Sequence, residues 1–210
     1  MLGNSQGYNS WCAILGGVAN TASARNVFVV GRENKATGIA ASISGGVVNK
    51  ASGIAASIAG GAGNIASGDA SSVTGGNENS ATGHYASVSG GRENTASGLL
   101  ASVVEGQRNS AEEGSAILGG SKNTASGEHS SVSGGLENTT APIAANSSVS
   151  GGVANKATGR FASVSGGFRN EASGEYSSVS GGQADTASGS FSSILGGKNN
   201  LVETEWGHFP

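Results

Sequence analysis

The chain has 210 residues, 38 of them Gly, and only 12% are Asp, Glu, Lys or Arg, against about 7% Gly and about a quarter charged in ordinary domains. The shortage of large aliphatic and aromatic side chains excludes a conventional enzyme core, a net charge of −3 with two Pro excludes ordinary disorder, and Gly does not recur every third residue as collagen requires. There is no basic stripe for nucleic acid, no apolar run near the ~20 residues of a membrane helix, and the lone Cys12 forms no internal disulfide.

In chain order, an opening segment 1–11 precedes a repeat. Its start lacks the charged and apolar regions of a secretory signal. Tyr8 and Trp11 here are expected to cover an open end. Cys12 is expected to stand in for a small buried residue. The repeat then fills 12–200 as one domain. Its closing Gly falls at 17, 31, 46, 61, 76, 91, 106, 120, 135, 152, 167, 182 and 197, thirteen units of about fifteen residues.

Three residues before that Gly stands a β-branched residue or Phe: Ile14, Phe28, Ile43, Ile58, Val73, Val88, Val103, Ile117, Val132, Val149, Val164, Val179 and Ile194. Ser mostly flanks it on both sides, so the alternation predicts a strand with Val inward and Ser outward. Three residues after the Gly comes Asn, as at Asn79, Asn94, Asn109, Asn123 and Asn170, with Asp185 the one exception. Ala follows two further on, so a second short strand faces Asn and Ala inward. Two alternating segments per unit, each ended by Gly, predict an all-β parallel β-solenoid, a β-roll or β-helix of about thirteen coils. Val73, Val88, Val103, Val132, Val164 and Val179 are expected to stack as one inward ladder, and the Asn side chains to bond up and down as another. No 3.6-residue stripe exists for a helix.

The breaks carry their own expectations. Unit two, Asn26-Val27-Phe28-Val29-Val30, is apolar throughout, so both faces of its strand are expected to be covered. The unit ending at Gly106 loses its first Gly, and Ala111-Glu112-Glu113-Gly114 sits one residue out of register. Pro142 stands where the turn Gly is usual, within the 17-residue interval before Gly152, so a protruding loop is expected there. The tail 201–210 brings Trp206 and Phe209, read as a second cap.

The unit Ser-Val-Ser-Gly-Gly-x-x-Asn-x-Ala-Ser-Gly resembles the head repeat of YadA-like trimeric autotransporter adhesins, which reads Ser-Val-Ala-Ile-Gly-x-x-Ser-x-Ala-x-Gly over a nominal fourteen residues. The likeness spans Cys12 to Asn200. Gly90 and Gly181 occupy the place of the family's Ile, and the period here is longer by one. The resemblance implies a left-handed parallel β-roll, a homotrimer, and a place on the cell surface or outside the cell. Similar repeats occur in phage tail fibres.

Catalysis finds no constellation. His84, His129 and His208 are read as surface residues on which no nucleophile and carboxylate converge. Only Asp69 and Asp185 are Asp, too few for a calcium-binding solenoid, and no helix follows the Gly-Gly pairs to make a phosphate loop. Glu105, Glu112 and Glu113 are read as a solvated acidic patch. No cofactor, metal or catalytic residue is assigned. Two surface features point to recognition. Hydroxyl rows such as Ser87/Ser89, Ser163/Ser165 and Ser178/Ser180 resemble an ice-binding face, although small residues that stack well explain them too. The corner six residues after Asn changes from Ala40, Ala55 and Ala70 to Tyr85, Leu100, His129, Phe161, Tyr176 and Phe191, a candidate interface.

These readings converge on a non-enzymatic structural and adhesive repeat module that presents loops to a host-surface or matrix ligand. The alternatives are an ice-binding solenoid and a phage or injection-system fibre segment. A homo-oligomer is expected, a trimer before a dimer. Neither nucleic acid nor membrane insertion by this segment is expected.

Overall fold

The computed structural model describes residues 3–6 and 11–210, and for Gln6 the backbone only. Among these residues every regular element is a two-residue strand, and none is helical. The chain is an all-β parallel β-solenoid of about thirteen coils. It divides into two compact units of the same build, Met1–Glu105 and Gly106–Pro210.

In the first unit, Thr21–Ala22, Lys35–Ala36, Lys50–Ala51 and Ile65–Ala66 pair in parallel, each with the next. So do Ser42–Ile43, Ser57–Ile58, Ser72–Val73 and Ser87–Val88. The register is strict: Ser lies over Ser, Val over Ile or Val. In the second unit Thr124–Ala125, Thr139–Thr140 and Lys156–Ala157 continue one pattern, and Ser148–Val149, Ser163–Val164 and Ser178–Val179 the other. A third line of backbone pairing runs just past the closing Gly, as in Arg32↔Val47, Val47↔Ala62 and Val153↔Phe168. Two strand segments were legible in the repeat; this third line was not, because it consists of single bridges with no alternation.

Besides its closing Gly, each coil turns at two left-handed residues. Val48 (φ 57) and Ala55 (φ 55) do so in one coil, Arg169 (φ 57) and Tyr176 (φ 57) in another. The reason lies in the bonding. Strand N–H groups donate to the following coil, as in Ser42 N to Ala56 O (2.9 Å). The two left-handed residues flip the peptide and donate to the preceding coil: Val48 N to Arg32 O (3.0 Å), Ala55 N to Ile39 O (2.8 Å). Left-handed conformation is unfavourable for most L-residues, and here backbone bonds satisfied in both directions hold it. The closing Gly is required for a second reason. Gly46 has φ 86, and a Cβ there would strike the carbonyl of Gly61 in the next coil.

Inward positions are filled by four columns of small or β-branched residues. In the first unit these include Asn49 and Asn64, Ala51 and Ala66, Ala41 and Ala56, Ile43 and Ile58, all buried. The expected Val ladder is buried throughout: Val73, Val88, Val103, Val132, Val164 and Val179.

Four readings change. In unit two Val29, not Phe28, holds the inward column: it pairs with Ile14 and Ile43, while Phe28 turns outward and is half-buried. The unit is one residue short between strand and Gly31, so counting back from that Gly slips by one. Val27 and Val29 face inward and are buried, while Phe28 and Val30 are half-buried. In the long coil Ala144, not Pro142, takes the turn position of Gly127: Ser147 N donates to Ala144 O as Ser130 N does to Gly127 O. Pro142 and Ile143 loop out, Ile143 being 83% exposed. Of the aromatics read as caps, Trp11 is 88% exposed and Trp206 67%. Phe209 extends the inward column past Ile194, and Tyr8 lies outside the described residues. The strand pattern continues in both end segments, where Ser5–Gln6 pairs with Thr21–Ala22 and Leu201–Val202 with Thr186–Ala187. Finally, Cys12 is half-buried; it shares the column of Val27 and Ala41, and its Sγ lies 3.0 Å from Ala24 O.

Candidate contact surface

The Asn column is the most fully bonded feature of the interior. Asn79 Nδ2 donates to Gly75 O and Gly91 O (2.9 Å each), and its Oδ1 accepts the backbone N–H of Asn94 (3.0 Å). Asn123 and Asn170 repeat the arrangement, and Asn109 Nδ2 donates to Gly120 O (3.0 Å). Asn94, read as a ladder member, is fully buried and donates from Nδ2 to Gly90 O. The ladder therefore joins side chain to backbone rather than amide to amide. Every polar atom of a buried Asn needs a partner; for Nδ2 the first Gly of its own pair and the closing Gly of the next coil each supply a carbonyl.

Asp185 breaks this column. Its Oδ1 accepts from Asn200 N (2.8 Å) and Asn200 Nδ2 (2.9 Å), but its Oδ2 is buried without a partner. A carboxylate oxygen has no proton to offer where the amide of Asn170 donates.

The outward faces carry the candidate recognition residues. Ser87, Ser163 and Ser178 are half-buried, and Ser89, Ser165 and Ser180 exposed. Ser87 Oγ lies 3.3 Å from Ser102 Oγ, so part of the hydroxyl row is occupied with itself. Leu15, Val104, Leu118 and Leu195 interrupt this face and are all exposed.

Tyr85, Leu100, His129, Phe161, Tyr176 and Phe191 each hold the same left-handed turn position of their own coil, with φ between 55 and 60. Tyr85 and Leu100 stand exposed in the first unit. In the second, Phe161, Tyr176 and Phe191 stack at centroid separations of 4.7 and 4.9 Å, nearly parallel. Two members escaped the sequence reading. Trp206 stacks on Phe191 at 4.2 Å, and the Arg160 guanidinium lies 5.0 Å over the Phe161 ring. Trp206 lies six residues after Asn200, the spacing of the other corner residues, although it falls beyond the repeat at 12–200. Stacked rings cover one another's faces and leave their edges to solvent.

The other polar groups do not assemble. A carboxylate stands beside two of the histidines: Asp69 Oδ2 is 3.5 Å from His84 Nδ1, and Glu128 Oε1 is 3.6 Å from His129 Nε2. All four side chains are well exposed. Among the described residues no three His, Cys, Asp or Glu side chains come together as a metal site, and no helix is long and apolar enough to cross a membrane. A 270 Å³ surface groove lies beside Lys156, Arg169 and Glu171. Another of 400 Å³ opens where Gly63 leaves the column of Glu33 and Val48 without a side chain. No protein-family model and no curated protein matches this sequence.

Proposed function

We propose that the chain is a non-enzymatic structural module, a stiff spacer of the adhesin-head type that makes its contacts through corner side chains. One observation carries this reading. From coil to coil the inward columns admit only Asn, Ala, Ser, Val and Ile with few exceptions, whereas the outward corner takes Ala, Tyr, Leu, His, Asn, Phe and Trp. What the fold constrains is constant, and what varies faces outward, as a display scaffold requires. The corner carries an aromatic run, with Phe161 half-buried and Tyr176, Phe191 and Trp206 exposed, and such surfaces serve association. The contact partner is a second copy of the chain, with a trimer favoured, or a matrix component at the cell surface.

Two measurements test this. Light scattering of the purified chain gives its mass; a monomer at micromolar concentration refutes self-association. Beads coated with the chain are then passed over collagen and fibronectin surfaces, beside beads carrying Tyr85→Ala, Leu100→Ala, Phe161→Ala, Tyr176→Ala and Phe191→Ala together. Retention that the five substitutions abolish supports the adhesive role, and equal retention sinks it.

A second reading rests on the outward hydroxyl rows. An ice-binding face would give thermal hysteresis that Ser165→Tyr and Ser180→Tyr remove. No hysteresis at millimolar concentration ends that alternative.

A further inference from the structure

The repeat's phase decides the fate of two Asn-x-Ser/Thr acceptor motifs, Asn138-Thr139-Thr140 and Asn146-Ser147-Ser148. This tripeptide is the recognition unit for N-linked sugar transfer. Strand alternation places its first and third residues on one side and its middle residue on the other.

At the first motif that side is the interior. Asn138 is fully buried; its Nδ2 donates to Gly134 O (2.8 Å) and Gly152 O (3.0 Å), and its Oδ1 accepts from Asn155 N (2.9 Å). Thr140 is buried as well, its Oγ1 2.7 Å from Ser130 Oγ. At the second motif the phase is opposite. Ser147 points inward and is fully buried, while Asn146 is exposed and Ser148 half-buried on the outer face. Asn146 sits at the left-handed corner (φ 58), a conformation Asn tolerates well. Its backbone N–H is committed to Glu128 O (2.8 Å), and its side-chain amide makes no hydrogen bond to the described residues. Pro142 and Ile143 loop out just before it. The other exposed corner Asn residues, Asn26 and Asn199, have Phe28 and Leu201 two places on.

We propose that Asn146 is an acceptor for N-linked glycosylation of the folded chain and that Asn138 is not. The donor is a hexose activated as a nucleotide diphosphate. Asn146 Nδ2 forms a bond to the anomeric carbon, the carbon–oxygen bond to the diphosphate breaks, the nucleotide leaves as its anion, and one amide proton passes to the transferase. The sugar would stand at the same corner as the aromatic run, between His129 and Phe161.

The test incubates the folded full chain with UDP-glucose and a soluble transferase specific for Asn-x-Ser/Thr. Intact mass and peptide mapping follow. The expected product carries one hexose, on Asn146, and Asn146→Gln abolishes it with an unchanged circular dichroism spectrum. An unmodified folded chain, when the heat-unfolded chain is modified in parallel, overturns the inference. So does transfer to Asn138 at a comparable rate. The readout is covalent mass, so its outcome is separate from the adhesion and light-scattering results.

Discussion

The Gly-Gly pair holds two residues with opposite tolerances. Gly75 has nothing within 4 Å of a hypothetical Cβ, whereas Gly76 (φ 89) would drive a Cβ into the Gly91 carbonyl. Gly75→Ala should therefore be neutral or stabilise by about 0.4–1 kcal/mol, through the lost freedom of the unfolded chain. Gly76→Ala should destabilise by more than that gain. Urea unfolding of the two variants checks the contrast, and equal midpoints would refute it. The Asn column gives a second prediction. Asn79→Ala removes the partner of two carbonyls and one N–H, at a cost of about 1–3 kcal/mol. Asp185→Asn does the reverse: it supplies the missing donor at the buried Oδ2 position and should raise stability by roughly 1 kcal/mol. A fall in melting temperature for Asp185→Asn would mean that the carboxylate has a role the ladder does not account for.

At the scale of the strand, burial alternates residue by residue. Val88 is 1% exposed and Ser89 lies on the outer face. Val88→Asp puts a charge into a dry column and should cost several kcal/mol, while Ser89→Asp should shift the melting temperature little. The corner supplies another contrast. Tyr176 stacks between two rings, and aromatic pairs contribute about 0.5–1.5 kcal/mol beyond their buried area. Tyr85 has Ala70 and Leu100 as its column neighbours. Tyr176→Ala should thus destabilise the second unit by ~1–2 kcal/mol and Tyr85→Ala by less than half of that. Chemical unfolding resolves the two, and a larger loss at Tyr85 would overturn the stacking account.

For the whole molecule, nearest-neighbour stacking predicts tolerance to loss of a complete coil. Deleting residues 47–61 joins Gly46 to Ala62 and keeps Asn, Ala and Val in their columns. The shortened chain should fold with the same circular dichroism per residue, because a repeat stack is close to a sum of coils and interfaces. Deleting 47–54 sets one strand column on the other and should abolish the cooperative transition. If both deletions fold equally well, register is not what holds the stack.

The sequence by itself determined the solenoid, its coil length, the inward Val and Asn columns and the outward corner, since thirteen internal copies separate constrained positions from free ones. It also determined which corner residues could line up, Trp206 included. Tertiary structure alone decided the rest. Only coil-to-coil pairing moves Phe28 outward and Val29 inward, because a deletion between strand and Gly is invisible when units are aligned on the Gly. Only stacking makes Val48 or Tyr176 left-handed, since nothing in either side chain favours positive φ; the carbonyl of the preceding coil requires it. The same holds for Asp185: its defect lies in the donor that the next coil needs, and a strand read in isolation has no next coil.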